Sequence, residues 1–486
     1  MRSGLIGLLS LLLGACGGGE SGGPPPAASC PAAADARPNF IVLLTDDQER
    51  GLDAYMPRLR RDLAGRGVDF LRSYVTLSLC CPSRASLLTG RYAHNTDVLS
   101  NTTDRGGYAG FRDSGQEADT VAVKLAAAGY RTAYLGKYLN GYPADDWPAP
   151  FVTPPGWGEW MVPVDAFPKS HPYPQYNYDL IDGSTATRRG SAPADYFGDV
   201  VGNRLLDYVS RECGPFLVVA GFVTPHNPGT PAPRHANDPV TLPPRHPSFN
   251  EADVSDKPRW LQLNPLLTEE QIASYDATQV QRLRSLKALD ETVGALIERL
   301  DRRGLLERTH LIYTSDNGWH MGEHRLKPNK NTVFEHDIGV PLIWRGPGVA
   351  EGRTSQALAL NIDIAPTLLD LAGVRDDLET RDGRSLAAVL ANPEAPLRSD
   401  FLVEHFANVE QNINRINADP FGLEYFAVHT GREVYVEYAY GDEEYYDLSR
   451  DPHQLDSQPG ALRPEHKAAL KARLEQLRTC VGRGCD

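Results

Sequence analysis

Four apolar runs in the first two-thirds of the chain each give way abruptly to polar residues. Phe40-Ile41-Val42-Leu43-Leu44 ends in Thr45-Asp46-Asp47, and Tyr130-Arg131-Thr132-Ala133-Tyr134-Leu135 ends in Gly136-Lys137. Residues 216–222 run into Val223-Thr224-Pro225-His226, and Leu311-Ile312-Tyr313-Thr314 into Ser315-Asp316-Asn317-Gly318. Unbroken apolar runs of this length fit strands covered on both faces of a parallel sheet. Between them the period lengthens to that of helices. Leu283, Leu286, Leu289, Val293, Leu296, Ile297 and Leu300 form one stripe closed by Gly304, and residues 120–128 form a shorter helix closed by Gly129. Residues 56–67 predict a short amphipathic helix, residues 68–74 the next strand, and residues 84–88 a helix that begins just after Pro82. Residues 143–192 carry many prolines and aromatics with little periodicity, which predicts a long binding loop more than a core.

From about residue 400 the pattern alternates. Residues 426–429 and 433–440 read as strands joined by Thr430-Gly431-Arg432, and residues 464–477 as a final helix. The expected fold class is therefore α/β: a large mixed, mostly parallel sheet flanked by helices over residues 38–399. A smaller C-terminal antiparallel sheet plus helix is expected over residues 400–486. Because ligands of open α/β sheets bind at the carboxyl ends of the strands, the polar endings above belong on one edge. Paired aspartates after a strand also serve as turn or cap residues, so Asp46 and Asp47 alone would leave that reading open.

Composition narrows the chemistry. The 486 residues carry 49 Lys and Arg against 63 Asp and Glu, a net charge of −14, which argues against a nucleic-acid binder. A local basic pocket for a small anion remains compatible with that balance. The chain starts with Arg2, an apolar run over residues 5–13 and Gly14-Ala15-Cys16, the form of an export signal. The run is too short for a membrane-spanning helix of about 20 residues. Its end resembles a bacterial lipoprotein cleavage box, so residues 1–16 are expected to be a lipoprotein-type signal with Cys16 lipidated. An ordinary secretory signal with an incidental cysteine is the alternative. Residues 17–37 are then a flexible linker, and the protein is expected in the cell envelope, on the periplasmic or extracellular face, touching the membrane only through its lipid anchor. Export permits disulfides. The close spacing of Cys480 and Cys485 suggests a local clip, and Cys30 and Cys213 are a candidate second pair whose connectivity the sequence leaves open.

The most unusual stretch is Cys80-Cys81-Pro82-Ser83-Arg84, at the predicted start of a helix, where free N–H groups and the helix dipole favour negative charge. With Leu88-Thr89-Gly90-Arg91 it resembles the signature of the type I sulfatases of the alkaline-phosphatase-like superfamily. The resemblance runs from Pro38 onward through Asp46-Asp47, Gly136-Lys137, Pro225-His226, Ser315-Asp316-Asn317-Gly318, Lys330 with Glu335, Asp363-Ile364-Ala365-Pro366-Thr367 and the run from Tyr446 to Pro452. Gly136-Lys137-Tyr138-Leu139-Asn140, Pro155-Gly156-Trp157 and Tyr176-Asn177-Tyr178 are similar to the N-acetylglucosamine-6-sulfatases that act on heparan-type glycans.

That resemblance implies that Cys80 is oxidised by a formylglycine-generating enzyme to an aldehyde. One hydroxyl of its hydrate attacks sulfur, and the other expels sulfate as the carbonyl re-forms. Asp46, Asp47, Asp316, Asn317 and residue 80 would hold a divalent metal. Oxygen ligands select Ca²⁺ ahead of Mg²⁺, and clustered carboxylates call for a cation on electrostatic grounds alone. Lys137, His226 and Lys330 would bind and neutralise the sulfate, His226 or a neighbour would protonate the leaving alcohol, and Arg84 would orient residue 80. Many sulfatases carry a histidine two residues after the lysine matching Lys137. Here that position is Leu139, which makes Asn140 the candidate for its place and for substrate contact. The expected substrate is a sulfated saccharide or an aryl sulfate, and the net charge favours a short saccharide over a long polyanion. Competing readings are a phosphomonoester or phosphodiester hydrolase of the same superfamily, or a catalytically silent glycan-binding lipoprotein. Cys81 reads as a small buried hydrophobe. His94, His320, His324 and His336 are either ligands or packing residues, and Trp157, Tyr176 and Tyr178 either stack on a sugar or pin their loop.

Overall fold

The computed structural model describes residues 30, 35–102, 105–144, 151–166, 170–374, 378–407 and 423–486. The expected signal, Cys16 and most of the linker lie outside these residues. The organising element is the strand Asn39–Asp46, buried along its whole length. It pairs in parallel with Thr309–Ser315 on one side and Phe216–Pro225 on the other, and Arg131–Gly136 continues beyond the latter. Side chains alternate across a strand, so the central run divides itself. Phe40, Val42 and Leu44 enter a core with helices Cys80–Thr89, Val121–Ala127 and Ile364–Leu371, while Ile41 and Leu43 enter a core with Pro57–Asp62, Phe197–Arg211 and Glu269–Arg302. This double burial explains why the sequence shows unbroken apolar runs instead of alternation.

Among the described residues the large sheet has ten strands. Outward from Thr309–Ser315 it continues through Leu342–Arg345, Val68–Phe70 and Arg353–Ser355, and on the far side through Glu159–Pro163, Asp179–Asp182 and Thr185–Arg188. Its five central strands are parallel and antiparallel pairs lie toward each edge, the mixed, mostly parallel sheet expected from the sequence. No helix among the described residues is long and apolar enough to cross a membrane.

Several elements differ from their sequence patterns. Residues 143–192 supply three edge strands. These are four or five residues long, and the outermost, Thr185–Arg188, is wholly exposed, so no hydrophobic period marks it. Residues 68–74 form two strands in separate sheets, Val68–Phe70 in the large one and Ser73–Tyr74 beside Ala359–Leu360. The long helix begins at Glu269, well before its apolar stripe, because Thr268 and Gln271 make a reciprocal capping box there.

The C-terminal sheet is antiparallel in the order Phe401–His405, Tyr425–His429, Glu433–Tyr438, Glu443–Asp447, with helix Pro464–Leu477 burying Leu470, Leu474 and Leu477. Its core is continuous with Tyr74, Trp260, Phe334 and Ile338 of the larger part, and Glu335 Oε1 lies 2.7 Å from His429 Nε2 across the seam. Cys30 bonds to Cys213 and Cys480 to Cys485, which among the described cysteines leaves Cys80 and Cys81 as buried thiols.

Gly136 ends its strand with φ 95°, and a Cβ there would lie 2.0 Å from the carbonyl oxygen of Gly221 in the next strand. Both the conformation and the backbone overlap oppose any side chain. Gly136→Ala is therefore expected to cost about 3 kcal/mol of stability in urea unfolding, where a change within experimental error would show the close approach to be unimportant.

Candidate active site

The carboxyl ends of the central strands converge. Asp46 closes its strand, and Asp47 follows with φ 60°, the left-handed region. Extended backbone would send adjacent side chains to opposite faces; the reversal at Asp47 instead brings both carboxylates to one place. Asp46, Asp47 and Cys80 each present a ligand atom within 4.8 Å of the other two. Asp316 follows the neighbouring strand, its Oδ1 accepts from the Asp47 N–H at 3.2 Å, and Asn317 Nδ2 donates to Asp47 Oδ1 at 2.6 Å.

Cys80 is the first residue of the helix Cys80–Thr89, whose ten residues are all buried. The helix thus starts two residues before Pro82, not after it, and Leu79 is its N-cap. Cys80 Sγ lies 3.6 Å from Asp46 Oδ1 and 2.8 Å from Lys330 Nζ. Cys81 points instead into the apolar core and its N–H is held by Asn101 Oδ1 at 2.8 Å.

The cations reach in from separate segments. Lys137 Nζ donates to Asp46 Oδ2 at 2.6 Å, and Lys330 pairs with Asp47 Oδ1. Arg84, one turn into the helix, donates from Nε to Asp316 Oδ2 at 2.8 Å and from Nη1 to the Lys137 carbonyl at 2.8 Å. It therefore fastens two strand ends to the helix that carries Cys80. His226 is partly exposed, with Nε2 3.5 Å from Asp47 Oδ2. Asp46, Asp47, Cys80, Arg84, Lys137, His226, Asp316, Asn317 and Lys330, all singled out from the sequence, thus lie in one cluster.

Electrostatics follow from burial. Desolvation pushes the Asp46 and Asp47 carboxyls up, but Lys137 beside the first, Lys330 beside the second and His226 near both outweigh it and hold them below the ordinary range. Burial likewise opposes charge on Lys137 and Lys330, and the carboxylates prevail, keeping both ammonium groups protonated. The Cys80 thiol is pushed up to about 12, chiefly by burial, so as an unmodified thiol it is neutral at pH 7 and a poor nucleophile. Asp47 Oδ2 and Asn317 Oδ1 are buried without a hydrogen-bond partner. Two orphaned oxygens beside clustered carboxylates are the donor set of a hard cation, so these residues fit a divalent metal.

Asn140 lies in a layer behind the cluster. Its Nδ2 donates to Tyr173 Oη at 2.9 Å and to Asp165 Oδ2 at 3.3 Å, and Tyr173 in turn donates to Asp165 at 2.9 Å. Tyr173 stacks on His226 at 4.3 Å and lies 4.8 Å below Lys137 Nζ. Trp319 sits 5.6 Å from Lys330 Nζ, and Arg282 of the long helix donates to the Asp47 carbonyl. Tyr173, Asp165, Trp319 and Arg282 carried no motif of their own, and only the aromatic density around residue 173 hinted at the first. The aromatics singled out by motif behave differently. Trp157 packs on Tyr134 and Trp160, Tyr178 is fully buried against Phe197, and Tyr176 leans on Tyr196. They pin the loop.

The sulfatase family model matches residues 38–374, and the C-terminal model of N-sulphoglucosamine sulphohydrolase matches residues 322–480. The chain is 34% identical to the N-acetylglucosamine-6-sulfatase of Capra hircus, over 93% of this chain and 86% of that protein. It is 33% identical to the Homo sapiens enzyme of the same name, over 93% and 87%. A solved structure of a protein in complex with its substrate D-glucosamine-2-N,6-O-disulfate shares the fold, with a TM-score of 0.70 and 23% identity over 90% of this chain and 97% of that one. With a family match over most of its length and relatives above 30% identity, the chain belongs to the sulfatase family and is an enzyme that hydrolyses sulfuric esters.

Proposed function

We propose that this sulfatase releases sulfate from a 6-O-sulfated N-acetylglucosamine-type sugar, using a formylglycine derived from Cys80. The observation that carries the reading is the convergence of Lys137, Lys330 and buried carboxylates on residue 80 at a helix N-terminus. Relatives named N-acetylglucosamine-6-sulfatase and the fold shared with a glucosamine-disulfate complex support the choice of sugar. As formylglycine hydrate, residue 80 supplies one hydroxyl to sulfur and a second to release the sulfate.

Asp46, Asp47, Asp316 and Asn317 would hold the metal, Ca²⁺ ahead of Mg²⁺. When bound it supplies Lewis acidity toward the sulfate oxygens. Three carboxylates against Lys137, Lys330 and Arg84 balance to zero, so a divalent ion leaves the pocket at +2, a setting that attracts a sulfate ester despite the net charge of −14. Lys137 and Lys330 bind the peripheral sulfate oxygens, and His226 gives its proton to the departing sugar oxygen. Arg84 positions both Asp316 and the Lys137 backbone. Asn140 acts through Tyr173, which seats His226 and Lys137.

Maturation requires a formylglycine-generating enzyme, and two disulfides suit an oxidising compartment. The leader is read as a lipoprotein signal that leaves Cys16 acylated in the cell envelope.

Mass spectrometry of the peptide containing Cys80, taken from active protein, should find formylglycine; thiol alone would sink the mechanism. Cys80→Ala should lower turnover of N-acetylglucosamine-6-sulfate by about 10³-fold or more with the fold retained, and faster turnover of phosphate than sulfate monoesters by the wild type would favour the phosphohydrolase instead. Removing divalent ions with a chelator should abolish turnover, with Ca²⁺ restoring it better than Mg²⁺; indifference to chelation would count against the assigned metal ligands. Cys16→Ala should move the protein from the membrane to the soluble fraction, and an unchanged distribution would refute lipid anchoring.

A further inference from the structure

Lys330 reaches residue 80 from an irregular segment, and one buried carboxylate grips that segment on both sides of the lysine. Asp337 is fully buried in the short helix Glu335–Ile338. Its Oδ2 accepts from the Thr332 N–H at 2.9 Å and from the Thr332 hydroxyl at 2.6 Å. His320 Nδ1 lies 2.9 Å from its Oδ1. A carboxylate is an acceptor with about four lone-pair sites, so three converging donors suit it. His320 and Asn329 exchange backbone hydrogen bonds at 2.8 and 3.1 Å, which closes the residues between them into a loop. Lys330 follows Asn329 directly and so stands between the two gripped positions, His320 and Thr332.

The loop needs such a hold. Asn331, between Lys330 and Thr332, has φ 83°, a left-handed conformation that a residue other than glycine keeps only where its surroundings enforce it. The helix that carries Asp337 is itself anchored. The Glu335 N–H donates to Gln454 Oε1 at 2.8 Å, and Glu335 Oε1 lies 2.7 Å from His429 Nε2 of the C-terminal sheet. On its other side, the Asp337 carbonyl accepts from the Gly318 N–H at 2.7 Å, one residue after Asn317. A Cβ on Gly318 would lie 2.1 Å from the His336 carbonyl oxygen, so glycine is what lets the strand end and this helix approach so closely.

We infer that Asp337 is a positioning residue for sulfate-ester hydrolysis: through Thr332 and His320 it sets the loop that delivers the Lys330 ammonium group to residue 80. Lys330 Nζ lies 2.8 Å from Cys80 Sγ and pairs with Asp47. A lysine carries its charge on a flexible four-carbon stem, so the place of that charge depends on how firmly the backbone of residue 330 is held. The C-terminal sheet thereby influences the chemistry at a distance, through Glu335 and Asp337. The inference rests on the role proposed above for Lys330.

The test is a double-mutant cycle in the full protein, read by kcat/KM for N-acetylglucosamine-6-sulfate and by competitive inhibition with inorganic sulfate. Asp337→Ala is expected to lower kcat/KM by about 10²-fold, as a displacement of about 1 Å does, and to weaken inhibition by sulfate. In a Lys330→Ala background the same substitution should cost little more, because the group it positions is gone. Thr332→Val, which removes only a hydroxyl, should act in the same way with a loss of roughly tenfold, and it carries the test if Asp337→Ala does not fold. Equal losses with and without Lys330 would show a structural role alone and overturn the inference, as would unchanged kcat/KM and sulfate inhibition. Lys330→Ala without effect would instead sink the assignment of Lys330, and the inference with it.

Discussion

Everything near residue 80 depends on mutual neutralisation of charge inside the protein. Asp46, Asp47 and Asp316 are fully buried, as nearly are Lys137, Arg84 and Lys330. Bringing each such ion out of water costs several kcal/mol, and the cost is offset only where partners are held in place. Arg84 to Asp316, Lys137 to Asp46 and Lys330 to Asp47 provide those partners, and each comes from a different segment. The large sheet therefore does more than bury apolar surface. Its parallel register sets Thr45 beside Ser315 and Asp46 beside Pro225, which fixes where the charges meet.

That rigidity is enforced from outside the cluster. Gln48 donates its N–H to Ser315 Oγ at 3.0 Å, and Ser315 Oγ donates to the Asn317 carbonyl at 2.9 Å, so the two acidic strand ends are laced together. The close approach of Gly136 to Gly221 draws the Lys137 strand end inward. Asp363, in a motif shared with sulfatases, lies elsewhere: buried, it takes a bidentate ion pair from Arg398 at 2.5 Å and caps Leu360. A recurring motif in such a fold can thus serve the scaffold as much as the reaction.

The same reasoning separates the two adjacent cysteines. One residue along a helix turns the side chain by about 100°, enough to send Cys80 among the lysines and Cys81 into the apolar core. It also separates the histidines. His226 lies partly exposed beside Asp47, His94 is tied to Glu404 at 2.8 Å, and the rings of His320 and His324 lie 5.9 and 5.6 Å from that of His336. Their different environments, not their identity, assign their chemistry.

The sequence by itself determined the α/β class, the four central strands, the C-terminal antiparallel sheet and the residues that cluster around Cys80. Apolar runs on doubly buried strands and polar residues at their ends are local patterns, set by which positions water can reach. Tertiary structure decided what no local pattern encodes. The exposed edge strand Thr185–Arg188 owes its place to pairing with Asp179–Asp182, and the first half of the long helix to a cap and to helical continuity. Asn140 sits behind Tyr173, and Tyr173 under His226, because loops far apart in sequence pack there. At Cys80 the sequence marked the residue and its partners, while the fold alone set the lysine contacts, the neutral thiol and the orphaned oxygens of Asp47 and Asn317. Those are properties of distance and burial, which a linear chain does not contain.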